Sequence, residues 1–184
     1  NHAVATVADA AAKGLQFDLE KAYEACRKGI EEKTLAPWSG AAAGWIDDFY
    51  KKNGYIPALQ AGEKETDPNV HPFEKRQPIA VTLGTSYDLW CFSRIADMLG
   101  KKDDAAHYLK CAHNYRNVYN AETAFFHPKD KNGKWIEPFD YRFSGGMGAR
   151  EYYGENNGWV YRWDVPHNVA DLLALMGGNE RFIA

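Results

Sequence analysis

The sequence predicts an all-α fold, mainly helical hairpins with a small β-hairpin set into the loops. Three observations lead there. Apolar residues recur at helical spacing through most of the first 120 positions. Glycines and an Asn-Gly pair close those runs one after another. The remaining segments are long, aromatic-rich and broken by proline and glycine, which suits connections between helices better than a sheet.

Residues 3–13 form the first predicted helix, with Val4, Val7, Ala8 and Ala11 on one face and Gly14 as its stop. Asp18 is the expected N-cap of a second helix reaching about residue 33, with Leu19, Ala22, Cys26 and Ile30 turned inward. A short helix over about 40–52 should end at Asn53-Gly54. Residues 55–77 hold Pro57, Gly62, Pro68 and Pro72 and are expected to be irregular. A long helix follows over about 78–99, with Leu83, Tyr87, Cys91 and Met98 along one stripe and Gly100 after it. Residues 102–119 give the next helix, aligning Ala105, Tyr108, Leu109, Ala112, Tyr115 and Tyr119. The short turn between these two predicts an antiparallel hairpin.

Beyond Asn120 the pattern changes. The runs 125–128 and 134–136 flank Asp130-Lys-Asn-Gly133, a turn signal that predicts a β-hairpin. Residues 138–154 read as loop. The glycine run at 144–148 lacks the spacing of a phosphate-binding loop. Residues 167–176 are helical, Gly177-Gly178 breaks the helix, and Asn179 starts another. That last helix has barely one turn before Ala184, and Asn1 is not an initiating residue. Residues 1–184 therefore read as part of one domain, cut at both ends.

The densest chemistry lies in 151–168. Three carboxylates, three amide side chains, four rings between Tyr153 and Trp163 and one histidine fall within this stretch, and Gly154 and Gly158 bracket Glu155. Polar groups on a loop beside a rigid helix are a common way to build a site. Six tryptophans and eleven tyrosines, many in or beside loops, suit a carbohydrate site, where ring faces stack on sugar C–H surfaces. The competing reading is an all-α bundle with ordinary aromatic packing.

Composition removes several classes. A formal charge of −3 with no basic stripe argues against nucleic acid. No apolar run approaches the ~18 residues of a membrane span. Cys26, Cys91 and Cys111 are odd in number and widely spaced, so they read as free thiols within helices. His107 and Cys111 stand four apart on one helix, but two further zinc ligands are missing. Glu63, Glu65 and Asp67 read as a solvated charge run, and no acidic spacing matches a calcium loop. The absence of a Gly-x-Ser-x-Gly elbow argues against a serine hydrolase.

Within 151–168, Glu155, Asn157, Trp159, Tyr161, Trp163, Val165, Pro166 and His167 match Glu-Gly-Asn-Ala-Trp-Gln-Tyr-x-Trp-x-Val-Pro-His-Asp. On these residues the chain resembles the catalytic domain of glycoside hydrolase family 92, bacterial calcium-dependent exo-α-mannosidases. The similarity extends from residues 1–10 through 99–106, 114–117 and 122–126 to the break at 175–178. It implies part of an (α/α)6 toroid and inverting hydrolysis of terminal α-mannosides, with Glu155 as general acid. It also implies substrate contacts from Asn157, Trp159, Trp163, His167 and Asp88, a mannose-containing glycan as partner, and export to the periplasm or medium. Calcium and the general base would be held by motifs further along; Gly178-Asn-Glu-Arg181 lacks the proline of one of them and reads as a helix start. Tyr153, Trp159 and Trp163 would surround Glu155 and desolvate it, favouring the protonated form that an acid needs near neutrality.

The chain also departs from the pattern. It has Asn156 for Gly, Gly158 for Ala, Val160 for Gln and Asn168 for Asp. In the long helix Gly84 stands for Glu and Leu89 for Asp, removing two carboxylates near the expected centre. Two functions of different class follow: the acid-bearing part of a mannosidase, inactive alone, or a helical carbohydrate-binding or scaffold module. Truncation also predicts an exposed apolar flank and a tendency to dimerise.

Overall fold

A computed structural model of the chain describes residues 2–143 and 150–183. Helices α1 (Ala3–Ala12), α2 (Leu19–Glu32) and α3 (Trp45–Asn53) precede the long α4 (Pro78–Met98) and α5 (Lys102–Cys111). A 3-10 helix (Asn114–Val118) then leads to strands β1 (Tyr119–Asn120) and β2 (Phe125–Phe126), and short helices α6 (Gly158–Tyr161), α7 (Val169–Leu175) and α8 (Asn179–Ile183) complete the order. Among the described residues the fold is mainly α-helical with one small antiparallel sheet. The glycine run at 144–148 lies outside the described residues.

Helix α4 organises the molecule because it is buried on several sides. Leu89, Phe92, Ile95 and Ala96 face a first core shared with α1, α2 and α5. Ile79 and Leu83, nearer its N-terminus, face a second core with Tyr115, Phe126, Tyr153, Val165 and Leu172. In the first core Phe92 stacks on Tyr23 at 4.9 Å and meets Tyr108 edge-on at 4.7 Å. Both tyrosines are buried with their hydroxyls reaching carboxylates, Tyr23 to Asp104 and Tyr108 to Glu31. Such amphipathic rings keep a polar handle while burying their faces.

Most punctuation acts as expected. Asp18 accepts from the Lys21 amide at 2.9 Å, and Gly54 closes α3 with φ +73°. The corrections have local causes. The inward face of α2 is centred on Tyr23, with Leu19, Cys26 and Ile30 beside it. Helix α3 starts at Trp45 because residues 41–43 are tied to 32–34, Thr34 N–H donating to Ala41 O and Ala43 N–H to Glu32 O. Asp47 then takes the Gly44 amide at 2.8 Å and the Leu35 amide at 2.7 Å. Helix α5 stops at Cys111, and its expected continuation is the 3-10 helix, pinned to the end of α3 by Asn114 and Asn117. Met98 and Leu109 lie on solvent rather than in a stripe.

The β-hairpin pairs differently from expectation. Phe125 and Phe126 pair with Asn120 and Tyr119, not with 134–136. The turn at Asp130–Gly133 does form, but it joins only a single bridge between Lys129 and Trp135. Glu65 is more than a solvated charge: Arg76 grips it from Nε at 2.6 Å and Nη2 at 2.7 Å.

Candidate active site

A cleft of about 1580 Å³ runs between α2, α4 and the 154–166 segment. That exceeds the ~300–1,000 Å³ of ordinary small-molecule pockets, and side chains such as Val7, Ile30 and Leu35 make much of its lining apolar. Its lining includes Gln77 at the N-cap of α4 and Gly84, Tyr87 and Asp88 on the helix; Gly154, Glu155, Tyr161 and Asp164 come from the loop wall.

The loop wall is held onto the start of α4. Ile79 N–H donates to Tyr152 O at 2.9 Å, using one of the amides that a helix N-terminus leaves free. Tyr153 is fully buried, stacks on Tyr161 at 5.2 Å and donates to Phe126 O at 2.9 Å. Gly154 N–H donates to the Tyr161 hydroxyl at 3.2 Å. A Cβ on Gly154 would lie 2.6 Å from that hydroxyl and 3.1 Å from Gln77 Oε1, so any other residue there would have to displace these two side-chain ends.

Glu155 stands on the rim of the cleft. Its side chain is 75% exposed, so the expected desolvation by Tyr153, Trp159 and Trp163 is absent. The rings point elsewhere: Tyr153 into the second core, Trp159 edge-on to Phe125 at 4.8 Å, and Trp163 edge-on to Phe182 at 4.9 Å. Instead the carboxylate meets a cation, Arg150 Nη2 at 3.2 Å from its Oε1.

Asp88 shares the cleft and is mostly buried. Its Oδ1 is 3.0 Å from His2 Nδ1, and this hydrogen bond raises the imidazole above its ordinary value against the opposing effect of burial. The His2 ring lies over Gly84, where an added Cβ would sit 3.0 Å from Cε1. The space that a glutamate side chain would need is thus occupied by an imidazole. On the loop, partial burial raises the Asp164 carboxyl above the ordinary range, with the nearby His2 charge opposing, although the residue is exposed as a whole.

The remaining expected site residues do not line the cleft. Asn157 caps α6, accepting from Trp159 N–H at 3.1 Å and Val160 N–H at 3.4 Å. Trp159 and Trp163 are 50% and 42% exposed and flank the guanidinium of Arg162. His167 Nε2 lies 3.0 Å from Ala112 O, among Tyr87, Trp90 and Tyr115. Burial lowers its imidazole, and Nδ1 has no partner among the described residues. Sequence reasoning missed His2, Arg150, Asp164 and Gln77. Only Asp164, inside the dense stretch, carried a local signal.

Among the described residues no three His, Cys, Asp or Glu side chains gather as metal ligands would. The His107–Cys111 pair, 3.9 Å apart, has no third ligand, and the donors present do not fit a calcium ion. No described helix is long and apolar enough to cross a membrane.

The whole chain, residues 1–184, matches the glycosyl hydrolase family 92 catalytic domain. It is 33% identical to an inverting mannosidase of that family from Bacteroides thetaiotaomicron, with a TM-score of 0.78 over 100% of this chain and 22% of that one. A family 92 α-mannosidase of the same organism, in complex with mannoimidazole, is 27% identical with a TM-score of 0.76, over 99% of this chain and 21% of that one. An uncharacterised secreted glycosidase of Arthroderma benhamiae is 27% identical over all of this chain. The chain spans 25% of that relative's length.

Proposed function

Glycosyl hydrolase family 92 is the family to which this chain belongs, and on that premise we propose that it forms part of an inverting exo-α-mannosidase with Glu155 as general acid. The observation that carries this reading is the place of Glu155, an accessible carboxylate on the rim of the large cleft. In the reaction Glu155 gives its proton to the glycosidic oxygen as the C1–O bond breaks and its electron pair stays on that oxygen. Water adds to C1 from the opposite face and loses a proton to a carboxylate base. The two carboxyl groups need a separation of ~6.5–9.5 Å to leave room for that water.

The base and the calcium ligands are assigned to residues outside this chain, and no step here is routed through the ion. In the complete enzyme these helices would form part of an (α/α)6 toroid, and the protein would be exported, as the secreted relative is. Asp88 is proposed to contact the sugar, oriented by His2 at 3.0 Å. A second reading, a non-catalytic carbohydrate-binding module, draws support from the His2 ring filling the space over Gly84.

The test is mannose release from α-linked mannobioses by the longest protein the gene encodes, with calcium or chelator, beside Glu155→Gln. A loss of about 10²- to 10⁴-fold in kcat supports the acid assignment. Full activity in Glu155→Gln rejects it. Binding of mannosides without turnover in the unmutated protein would establish the second reading instead.

A further inference from the structure

Arg150 joins two carboxylates of contrasting surroundings. Nη2 lies 3.2 Å from Oε1 of the exposed Glu155, and Nη1 donates to Oε2 of Glu74, whose side chain is 1% exposed. The guanidinium is itself 14% exposed and lies over the Phe73 ring, Cζ 5.1 Å from the centroid. Glu74 is fixed in turn by Gln77 Nε2 at 2.9 Å, and Gln77 is the residue against which Gly154 packs. The planar guanidinium fork suits such a bridge better than an ammonium would. Glu74 Oε1 and Arg150 Nε are buried with no partner among the described residues. A buried, incompletely satisfied ion pair is costly to keep, and such groups gather where a structure is organised for function.

We propose that Arg150, anchored by Glu74, is a positioning residue for Glu155 and fixes which carboxyl oxygen faces the leaving group. This rests on the reading of Glu155 as the acid. Arg150 Nη2 is ion-paired with Oε1 at 3.2 Å, and Oε2 has no partner among the described residues. In the protonated acid, Oε1 faces the Arg150 guanidinium while Oε2 carries the proton toward the glycosidic oxygen. Once that proton has moved and the C1–O bond has broken, the guanidinium stabilises the carboxylate left behind. Other charged or titratable groups on this part of the cleft are Asp164, His2, Asp88 and the Tyr161 phenol.

A positioning role predicts loss only where a proton must be delivered. Arg150→Gln, in the longest protein the gene encodes, should lower kcat on an α-mannobiose on the order of 10- to 100-fold with KM little changed. On α-mannosyl fluoride, whose leaving group needs no proton, kcat should stay within about 2-fold, since acid assistance contributes little there. Arg150→Lys should recover part of the loss, and Glu74→Gln should give the same selectivity at smaller amplitude. Equal losses on both substrates, or none on either, would overturn the proposal. If Arg150→Gln does not fold, Glu74→Gln combined with Arg150→Met removes both buried charges together and reads the same ratio. A Glu155→Gln variant that loses both substrates alike, or neither, rejects the acid reading itself, whatever Arg150 does.

Discussion

On one wall of the cleft Asp88 projects from α4, a helix buried against two hydrophobic cores. On the other Glu155 projects from a loop anchored by the buried Tyr153 and aimed by a few polar ties: Tyr152 to Ile79, Gly154 to Tyr161, and Arg150 to Glu74. The first wall gets its rigidity from packed apolar area, spread over many contacts. The second gets its precision from single hydrogen bonds and ion pairs, each of which can fail alone. Mutations in the cores behind the helical wall should therefore act on stability, and mutations in the ties of the loop wall on activity.

The largest expected effect is in the helical wall. Phe92→Ala opens a void between Tyr23 and Tyr108 and should cost about 3–5 kcal/mol, read as a lower denaturation midpoint. Activity per folded molecule should be unchanged. A Phe92→Ala protein that keeps its stability but loses turnover would erase the distinction between the walls.

Gly154→Ala tests the loop wall. The methyl would collide with the Tyr161 hydroxyl and press on Gln77 Oε1, at an expected cost of about 1–3 kcal/mol. Because Gln77 also holds Glu74, the displacement should reach Arg150 and Glu155, and kcat should fall more than stability alone would account for. Tyr161→Phe is milder. It leaves the buried Gly154 amide without its acceptor, worth about 1–2 kcal/mol, and should soften the loop without steric strain. If Tyr161→Phe cost more turnover than Gly154→Ala, close backbone approach would not be what places Glu155.

The same division explains how much could be read from the chain alone. The helical wall was largely legible, because caps such as Asp18, stops such as Gly54 and Gly100, and 3.6-residue spacing are local signals. Tyr23 escaped because its inward turn depends on Asp104, which lies across the first core on another helix. In the loop wall, the motif pointed to Glu155, which lies on the rim of the cleft, but nothing local pointed to the Arg150 beside it. Glu74 and Arg150 are 76 positions apart, and nothing near either one announces the other. The strand pairing failed for a related reason: Phe125 and Phe126 had two partners of similar pattern, and the second core selected Tyr119 and Asn120.

The smallest effect expected is in pH dependence, where histidines of opposite character meet. His2, raised by its hydrogen bond to Asp88, binds more protons folded than unfolded above its unfolded value of about 6.5. Its contribution is fully present below that value and is lost as pH rises through the folded value. His167, lowered by burial in the helical packing, does the reverse: below about 6.5 the unfolded chain binds the extra proton, so acidification destabilises. Buried His127 adds to the same acid slope. Thermal midpoints from pH 5 to 8 should therefore peak between these two slopes. His167→Gln should flatten the acid side, and His2→Gln the neutral side by less, since His2 is exposed and its pair partly screened. A His2→Gln protein with the steeper change would mean that the helical wall depends on the His2–Asp88 tie as much as the loop wall depends on Arg150.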